Sequence, residues 1–255
     1  MMDLRSAILT YHSLDDSGSV ISTPPEVFGR QIESLAGSGI PLVPLDRVAS
    51  CPGSIALTFD DGYRNLAEHA FPVLDRFRVP ATVFVVSHYC GLMNRWPSQS
   101  PGAVPEMPLL SWDQLAAVPA GIEIGAHTAT HPRLSALPAD ECDREMHECR
   151  EEIQQRLTRP VRWLAYPYGS CSASVRSSAG RYFELAVGTS LRFVSPGISP
   201  MDLPRIDMFY FRERSSLDRL FSPWMRGYIG IRNAAREARI ASRIDMLRME
   251  PPAAT

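Results

Sequence analysis

The feature of this sequence that most constrains its fold is the alternation of short apolar runs with longer segments of helical periodicity. The apolar runs predict strands at residues 7–12, 55–59, 81–86, 122–125, 163–166 and 185–188. Helical spacing and N-terminal Ser or Pro residues predict helices at residues 25–35, 66–77, 111–118, 139–157 and 172–183. Strands that alternate with helices indicate an α/β protein with a mainly parallel sheet or barrel.

Polar clusters follow several of the predicted strands at the point where each strand ends. They are Tyr11-His12, Asp60-Asp61-Gly62, the stretch from His127 to His131, and Tyr166-Pro167-Tyr168-Gly169. The carboxyl ends of parallel strands meet at one edge, where such folds bind their ligands. We therefore expect these clusters to form one site.

The clustered residue types indicate a metal site. Adjacent carboxylates are costly unless a cation or proton compensates them, and two histidines with one carboxylate form a common zinc or iron ligand set. Pro132 disfavours helical geometry at His131, so a strand-to-loop turn is expected there. Taken alone, Asp-Asp-Gly is typical of an ordinary turn, and a lone histidine is usually structural.

Composition excludes some chemistry. All 26 basic residues are arginine, so Schiff-base catalysis by lysine and a lysine-containing phosphate loop are excluded. A GC-rich genome would account for this bias. The net charge of −2 argues against nucleic acid as a partner.

The ordered motifs Thr58-Phe59-Asp60-Asp61-Gly62, His127-Thr128-Ala129-Thr130-His131 and Tyr166-Pro167-Tyr168-Gly169 resemble those of the polysaccharide deacetylase family. This carbohydrate esterase group includes the NodB-type chitooligosaccharide deacetylases. The resemblance extends from about residue 11 to residue 205. It implies a distorted (β/α) barrel.

The resemblance also implies roles. Asp61, His127 and His131 correspond to ligands of a divalent metal, most simply Zn²⁺, with Co²⁺, Ni²⁺ or Fe²⁺ as other choices. Asp60 corresponds to the general base. The backbone N–H of Tyr168 corresponds to an oxyanion donor.

Two departures from the family pattern concern catalysis. Many members have an arginine where this chain has Ala165, and Arg162 or Arg205 are the candidates to replace it. The stretch 203–207, where the family usually supplies a histidine as general acid, contains none. His12 is then the best candidate, because it ends the first strand at the same rim.

The leading hypothesis is a metal-dependent carbohydrate N-deacetylase that removes an acetyl group from an amino sugar or N-acetylated glycoconjugate. The alternatives are hydrolysis of another non-peptide C–N bond, such as that of a cyclic amide or ureide, and a degenerate carbohydrate-binding protein without activity. Asp60 beside the predicted metal ligand Asp61 argues against a purely binding role. Trp96 and Trp112 are candidates to stack on sugar rings, although Trp112 begins a helix and suits core packing equally well.

The predicted organisation is a catalytic domain at residues 1–222 and a C-terminal helical extension at 223–255 packed on it. The N-terminus shows no run typical of a signal peptide, no apolar stretch approaches the ~18 residues of a spanning helix, and five cysteines are scattered. These features predict a reduced, cytoplasmic protein without a membrane span. The oligomeric state is left open.

Overall fold

A single parallel sheet organises the chain. The computed structural model describes residues 5–100, 102–214 and 216–249. Seven strands lie in the sheet: β1 (Ala7–Tyr11), β4 (Ile55–Phe59), β5 (Ala81–Val85), β6 (Ile122–Ala126), β7 (Trp163–Ala165), β8 (Leu185–Val187) and β9 (Ile206–Asp207). Their order is β8-β7-β6-β5-β4-β1-β9, and every neighbouring pair is parallel. The strands β2 (Ser13–Leu14) and β3 (Ser22–Thr23) form a separate parallel pair.

The helices follow the strands along the chain. They are α1 (Pro25–Gly37), α2 (Leu66–His69), α3 (Phe71–Phe77), α4 (Trp112–Ala116), α5 (Ala139–Leu157), α6 (Ala173–Ala179) and α7 (Pro223–Met249). A capping box starts α4, where Ser111 and Gln114 each accept a hydrogen bond from the other's backbone N–H.

The sheet curls into a half-barrel, and a short segment reaches across its open side. Leu203 pairs with Val187 of β8, while Ile206 pairs with Leu9 of β1. The few residues between these contacts therefore connect the two sides of the curled sheet. The expected distorted (β/α) barrel is confirmed.

The strands are buried on both faces, as expected for a parallel sheet covered by helices. Every residue of β1, β4 and β5 is buried. Side chains from different strands, including Ile8, Phe84, Trp163 and Val187, form one cluster in the core.

The six predicted strands are present within one residue of their expected ends. The predicted helix at 66–77 is instead two helices, α2 and α3, which meet at Ala70. Pro72 lacks the N–H that would continue the hydrogen-bond pattern, so it starts a new helix. The short strands β2, β3 and β9 were not predicted, because two residues carry no periodicity.

The chain divides into two compact units, Met1–Asp218 and Arg219–Thr255. The second unit contains α7, in which Trp224 stacks on Tyr228 with ring centroids 5.8 Å apart. Packing of the predicted extension on the catalytic domain stays a prediction. Its last residues, 250–255, and the N-terminal residues 1–4 that bear on the leader prediction lie outside the described residues. Within the described part of the chain, no helix has the length and hydropathy needed to cross a membrane.

Gly125 in β6 provides a test of the core packing. A Cβ at this position would lie 2.5 Å from Cδ1 and Cε1 of the Phe84 ring and 3.2 Å from the Trp163 carbonyl oxygen. We expect Gly125→Ala to lower the free energy of unfolding by roughly 1–3 kcal/mol, because the ring must shift inside a packed core. Urea denaturation measures this change.

Gly121→Ala is the matched control. The nearest atom to a Cβ at Gly121 is Pro80 Cα at 3.9 Å, which is ordinary contact. We expect a change within roughly 0.5 kcal/mol. Equal losses in the two variants would contradict this account of the core.

Candidate active site

The predicted site residues converge at one edge of the sheet. Asp60 and Asp61 follow β4, the segment from His127 to His131 follows β6, and Tyr168 follows β7. All of these strands are parallel, so their carboxyl ends meet. The two aspartates, the two histidines and Tyr168, together with His12, line one cavity of about 240 Å³.

The backbone is strained at this edge. Among the described non-glycine residues, six have positive φ, and two of them, Arg78 and Thr158, end helices. The other four lie in the polar motifs: Asp61 (68°), Thr128 (67°), His131 (62°) and Tyr168 (59°). Such conformations cost roughly 1–3 kcal/mol each and are typical of functional sites.

Asp61, His127 and His131 form a buried cluster of three ligand atoms. Asp61 Oδ1 lies 3.4 Å from Nε2 of His127 and 3.4 Å from Nε2 of His131. All three ligand atoms lie within 4.8 Å of one another. Atoms bound tetrahedrally to one zinc-sized ion are about 3.4 Å apart, so the spacing fits a divalent metal.

The hydrogen bonding of His127 supports this assignment. Its Nδ1 lies 2.8 Å from the carbonyl oxygen of Ala165. A carbonyl only accepts, so Nδ1 carries the proton in the neutral ring, and the lone pair of Nε2 faces the Asp61 carboxylate. Two electron-rich atoms in this position require a cation or a proton between them.

Without a metal, the surroundings of His127 favour a proton in this role. Burial works to lower the pKa of His127, but the hydrogen bond to Asp61 and the charges of Asp60 and Asp61 outweigh burial and raise it. A divalent cation would replace that proton and satisfy all three side chains. The residues present therefore fit a metal.

His131 is oriented by aromatic contacts. Its Nδ1 is buried and has no hydrogen-bond partner among the described residues. Its ring centroid lies 4.4 Å from that of Trp96 and 4.7 Å from that of Tyr168. Only 3% of Trp96 is exposed, so its ring is part of the cavity wall and supports the predicted metal ligand His131.

The loop that carries both histidines is also anchored by α5. The Glu145 carboxylate accepts hydrogen bonds from the backbone N–H of Thr130 at 2.8 Å and from the Thr130 hydroxyl at 2.5 Å. The Glu145 carbonyl accepts from the N–H of Ala129. The sequence carried no signal for this contact, because Glu145 is one of several acidic residues on a helix.

Asp60 is held by Arg205. Both guanidinium nitrogens donate to the carboxylate, at 2.7 Å to Oδ1 and 2.6 Å to Oδ2. Arg205 is 1% exposed and also donates to the Gly188 carbonyl oxygen and the Thr58 hydroxyl. Burial works to raise the pKa of Asp60, but the Arg205 charge and hydrogen bonds, with a smaller effect from His127, hold it below its ordinary value.

Arg205 is thus the arginine that faces Asp60. The other candidate, Arg162, contacts Glu123 and Glu184 and stacks on the Trp163 ring at the opposite end of β7. No sequence rule separated the two, because Arg205 reaches Asp60 only through the segment that connects the sides of the half-barrel.

His12 and Tyr168 complete the site. His12 Nε2 lies 3.9 Å from Asp60 Oδ2, and its side chain is 23% exposed. The Tyr168 hydroxyl lies 2.9 Å from Ser98 Oγ, and Ser98 donates to the His131 carbonyl oxygen at 2.5 Å. The loop that contains Ser98 therefore forms one wall of the cavity. Trp112 is half-buried in α4 and is not part of the cavity lining.

Comparison with known proteins agrees with this geometry. The polysaccharide deacetylase profile matches residues 47–182, which contain the aspartate and histidine motifs. The chain belongs to the polysaccharide deacetylase family.

Individual relatives of this family member are distant. It is 23% identical over 205 residues to the putative polysaccharide deacetylase YxkH of Bacillus subtilis, covering 76% of this chain and 66% of that protein. It is 31% identical over 140 residues to a chitooligosaccharide deacetylase of Sinorhizobium fredii, covering 54% and 57%. The chain thus spans less than two thirds of the length of these relatives.

Solved structures show the same fold. The Streptococcus pyogenes deacetylase PplD, in complex with acetate, aligns with a TM-score of 0.67 at 21% identity, over 81% of this chain and 93% of that one. IcaB from Ammonifex degensii aligns with a TM-score of 0.67 at 22% identity, over 82% and 96%. At these identities the structural match supports the fold of this polysaccharide deacetylase family member.

The first prediction for the site concerns metal binding. We expect His131→Ala to weaken Zn²⁺ binding by roughly 100-fold or more, because one of three protein ligands is lost. Calorimetric titration of metal-free protein with Zn²⁺ measures this change. His147→Ala, at an exposed histidine of α5 whose ring makes a T-shaped contact with Tyr182, is the control and should bind as the unmodified protein does. Full affinity in the His131 variant would mean that the ligand assignment is wrong.

The second prediction concerns the buried pair. We expect Arg205→Gln to lower the free energy of unfolding by roughly 3–5 kcal/mol, because Asp60 is left as a buried charge. In the double variant with Asp60→Asn, the two changes should be non-additive by roughly 0.5–3 kcal/mol. Urea unfolding of the metal-free proteins at pH 7 measures both. Folding lowers the pKa of Asp60. The stability that ionised Asp60 contributes to the folded protein is therefore complete at pH 7, and it is lost as the pH falls through the pKa of Asp60 in the folded state.

Arg162→Gln is the matched control for this cycle. The Arg162 side chain is 39% exposed in its ion pairs with Glu123 and Glu184. Solvent screens such pairs, so we expect the free energy of unfolding to fall by at most about 1 kcal/mol. Strict additivity of Arg205→Gln and Asp60→Asn would refute the energetic coupling.

Proposed function

We propose that this protein is a metal-dependent hydrolase that removes the N-acetyl group of an amino sugar, releasing acetate and a free amine. The observation that carries the proposal is the placement of Asp60, clamped by Arg205, next to the Asp61–His127–His131 cluster in one cavity. Family membership supports N-deacetylation of carbohydrates.

Asp60 serves as the general base in this proposal. Its low pKa keeps it ionised at neutral pH, so it can accept a proton from the water that attacks the acetamide. Each oxygen uses one acceptor position for Arg205 and keeps another for the water. Arg205 fixes the plane of the carboxylate and is therefore a positioning residue.

Tyr168 contributes its backbone N–H. Its φ of 59° and the fixed φ of Pro167 set the direction of this amide. Among the described residues no acceptor bonds to it. It is proposed to donate to the acyl oxygen as negative charge develops there.

His12 is proposed as the general acid. It lines the cavity beside Asp60 and is partly exposed, so it can face the substrate nitrogen. Protonated His12 would give its proton to the departing amine, which is then a better leaving group.

Asp61, His127 and His131 would hold the metal, with Zn²⁺ as the proposed ion. When bound, the ion supplies Lewis-acid polarisation of the acetyl carbonyl and lowers the pKa of the attacking water. The nitrogen and carboxylate ligand set also accommodates Co²⁺, Ni²⁺ or Fe²⁺.

The proposed substrate is an N-acetylated sugar or glycoconjugate. Two relatives, from Sinorhizobium fredii and Rhizobium leguminosarum, are named chitooligosaccharide deacetylases, which supports N-acetylglucosamine oligomers as first substrates to test. The cytoplasmic location stays a prediction.

Acetate release from N-acetylglucosamine oligomers tests the proposal. We expect release that a chelator abolishes and that added Zn²⁺ restores. Asp60→Asn should lower kcat by roughly 10²–10⁴-fold, because the amide cannot accept the proton. Its zinc content should be unchanged, since Asp60 is outside the ligand set.

Asp113→Asn, at an exposed position in the first turn of α4, is the matched control and should retain full activity. Full activity of Asp60→Asn would exclude its role as base. If zinc-loaded protein binds acetylated saccharides but releases no acetate from any of them, the protein is a carbohydrate-binding family member instead.

A further inference from the structure

Arg133 lies in the wall of the cavity but has no part in the proposed hydrolysis. It follows the metal-ligand candidate His131 by two residues, with Pro132 between them. Its side chain is exposed and lines the same cavity as Asp60 and the three ligand candidates. A molecule bound at the predicted metal site therefore shares its cavity with the Arg133 side chain.

The position of this guanidinium is defined by an aromatic ring. The Arg133 Cζ lies 4.1 Å from the centroid of the Tyr168 ring, which is a cation–π distance. The Tyr168 ring is itself held on two sides, because its hydroxyl bonds to Ser98 and the ring makes a T-shaped contact with His131. Stacking leaves the N–H groups in the plane of the guanidinium available to a ligand.

The charge of Arg133 is not balanced by any carboxylate that the described residues place in the cavity lining. The cavity lining contains two acidic residues, of which Asp60 pairs with Arg205 and Asp61 faces His127 and His131. No carboxylate of the described residues forms an ion pair with Arg133. With a divalent metal bound at Asp61, the lining carries a net positive charge.

We propose that Arg133 forms an oxyanion subsite, so that the preferred substrate is an acetylated sugar that carries a carboxylate or a phosphate. A guanidinium makes paired, charge-assisted hydrogen bonds to either group. This inference rests on the proposed deacetylation and specifies its substrate class. The alternative is that Arg133 only bonds neutral sugar hydroxyls or supports Tyr168.

Three ligands with the same sugar separate these cases: neutral N-acetylglucosamine, N-acetylglucosamine 6-phosphate and N-acetylmuramic acid, which carries a carboxylate. Binding is measured by quenching of tryptophan fluorescence on titration of zinc-loaded protein in the Asp60→Asn background, where hydrolysis is slow. In this background the unmodified protein is the one that retains Arg133. We expect at least one anionic sugar to bind roughly tenfold tighter than the neutral one, because a hydrogen-bonded charge pair forms. The phosphate and carboxylate arms show which anion is recognised, and the preference should weaken as salt is added.

The substitutions are Arg133→Gln and Arg133→Lys. We expect Arg133→Gln to bind all three sugars with affinities within about twofold of the neutral sugar in the unmodified protein, whereas Arg133→Lys retains part of the preference. Arg76→Gln is the matched control, because Arg76 is also exposed beside an aromatic ring, 5.1 Å from the Phe77 centroid, but does not line the cavity. It should keep the full preference.

Three results would overturn the subsite. The first is that the unmodified protein shows no anion preference. The second is that the preference survives Arg133→Gln, which would mean that it originates at the metal. The third is that Arg133→Gln weakens the binding of neutral and anionic ligands equally.

Acetate release measured on the same ligands, presented as β-methyl glycosides, separates the test of the subsite from the test of the proposed function. Acetate release without an anion preference in the unmodified protein refutes only the subsite, and an anion preference without acetate release refutes only the hydrolysis.

Discussion

The buried pair between Asp60 and Arg205 is the interaction on which the site depends. Asp60 ends a central strand, and Arg205 lies on the segment that connects the two sides of the half-barrel. The two hydrogen bonds therefore link closure of the fold to the orientation of the proposed base. A buried carboxylate in this position would otherwise be driven to protonate, which would remove its basicity.

The predicted metal ligands beside Asp60 also depend on contacts from other segments, because part of the backbone that carries them is strained. Asp61, Thr128, His131 and Tyr168 have left-handed backbones, which the surrounding structure must stabilise. For the histidine loop this support comes from the Glu145 carboxylate, the Ala165 carbonyl and the Trp96 ring. The result is a set of ligand atoms held in place before any metal binds, which lowers the cost of ordering them.

Much of the fold and the centre of the site could be predicted from the sequence. Strand–helix alternation is a local pattern, so it indicated the parallel architecture, and parallel strands bring their carboxyl ends together. The Asp60-Asp61 and His127–His131 clusters were found for the same reason, since each lies directly after a strand. The break between α2 and α3 was missed although Pro72 marks it locally. The short strand β9 was missed because its pairing with the distant strand β1, rather than local periodicity, determines it.

The sequence by itself determined which chemistry is available: it has no lysine, and it places two adjacent aspartates and two histidines directly after strands whose alternation with helices brings them to one edge. Only the tertiary structure decided which of several arginines does what. Arg205 reaches Asp60, Arg162 pairs with glutamates at the other end of its strand, and Arg133 stacks on Tyr168 in the cavity wall. The physical reason is that motifs are local in sequence, whereas the partner of a buried charge is chosen by contacts between segments far apart in the chain.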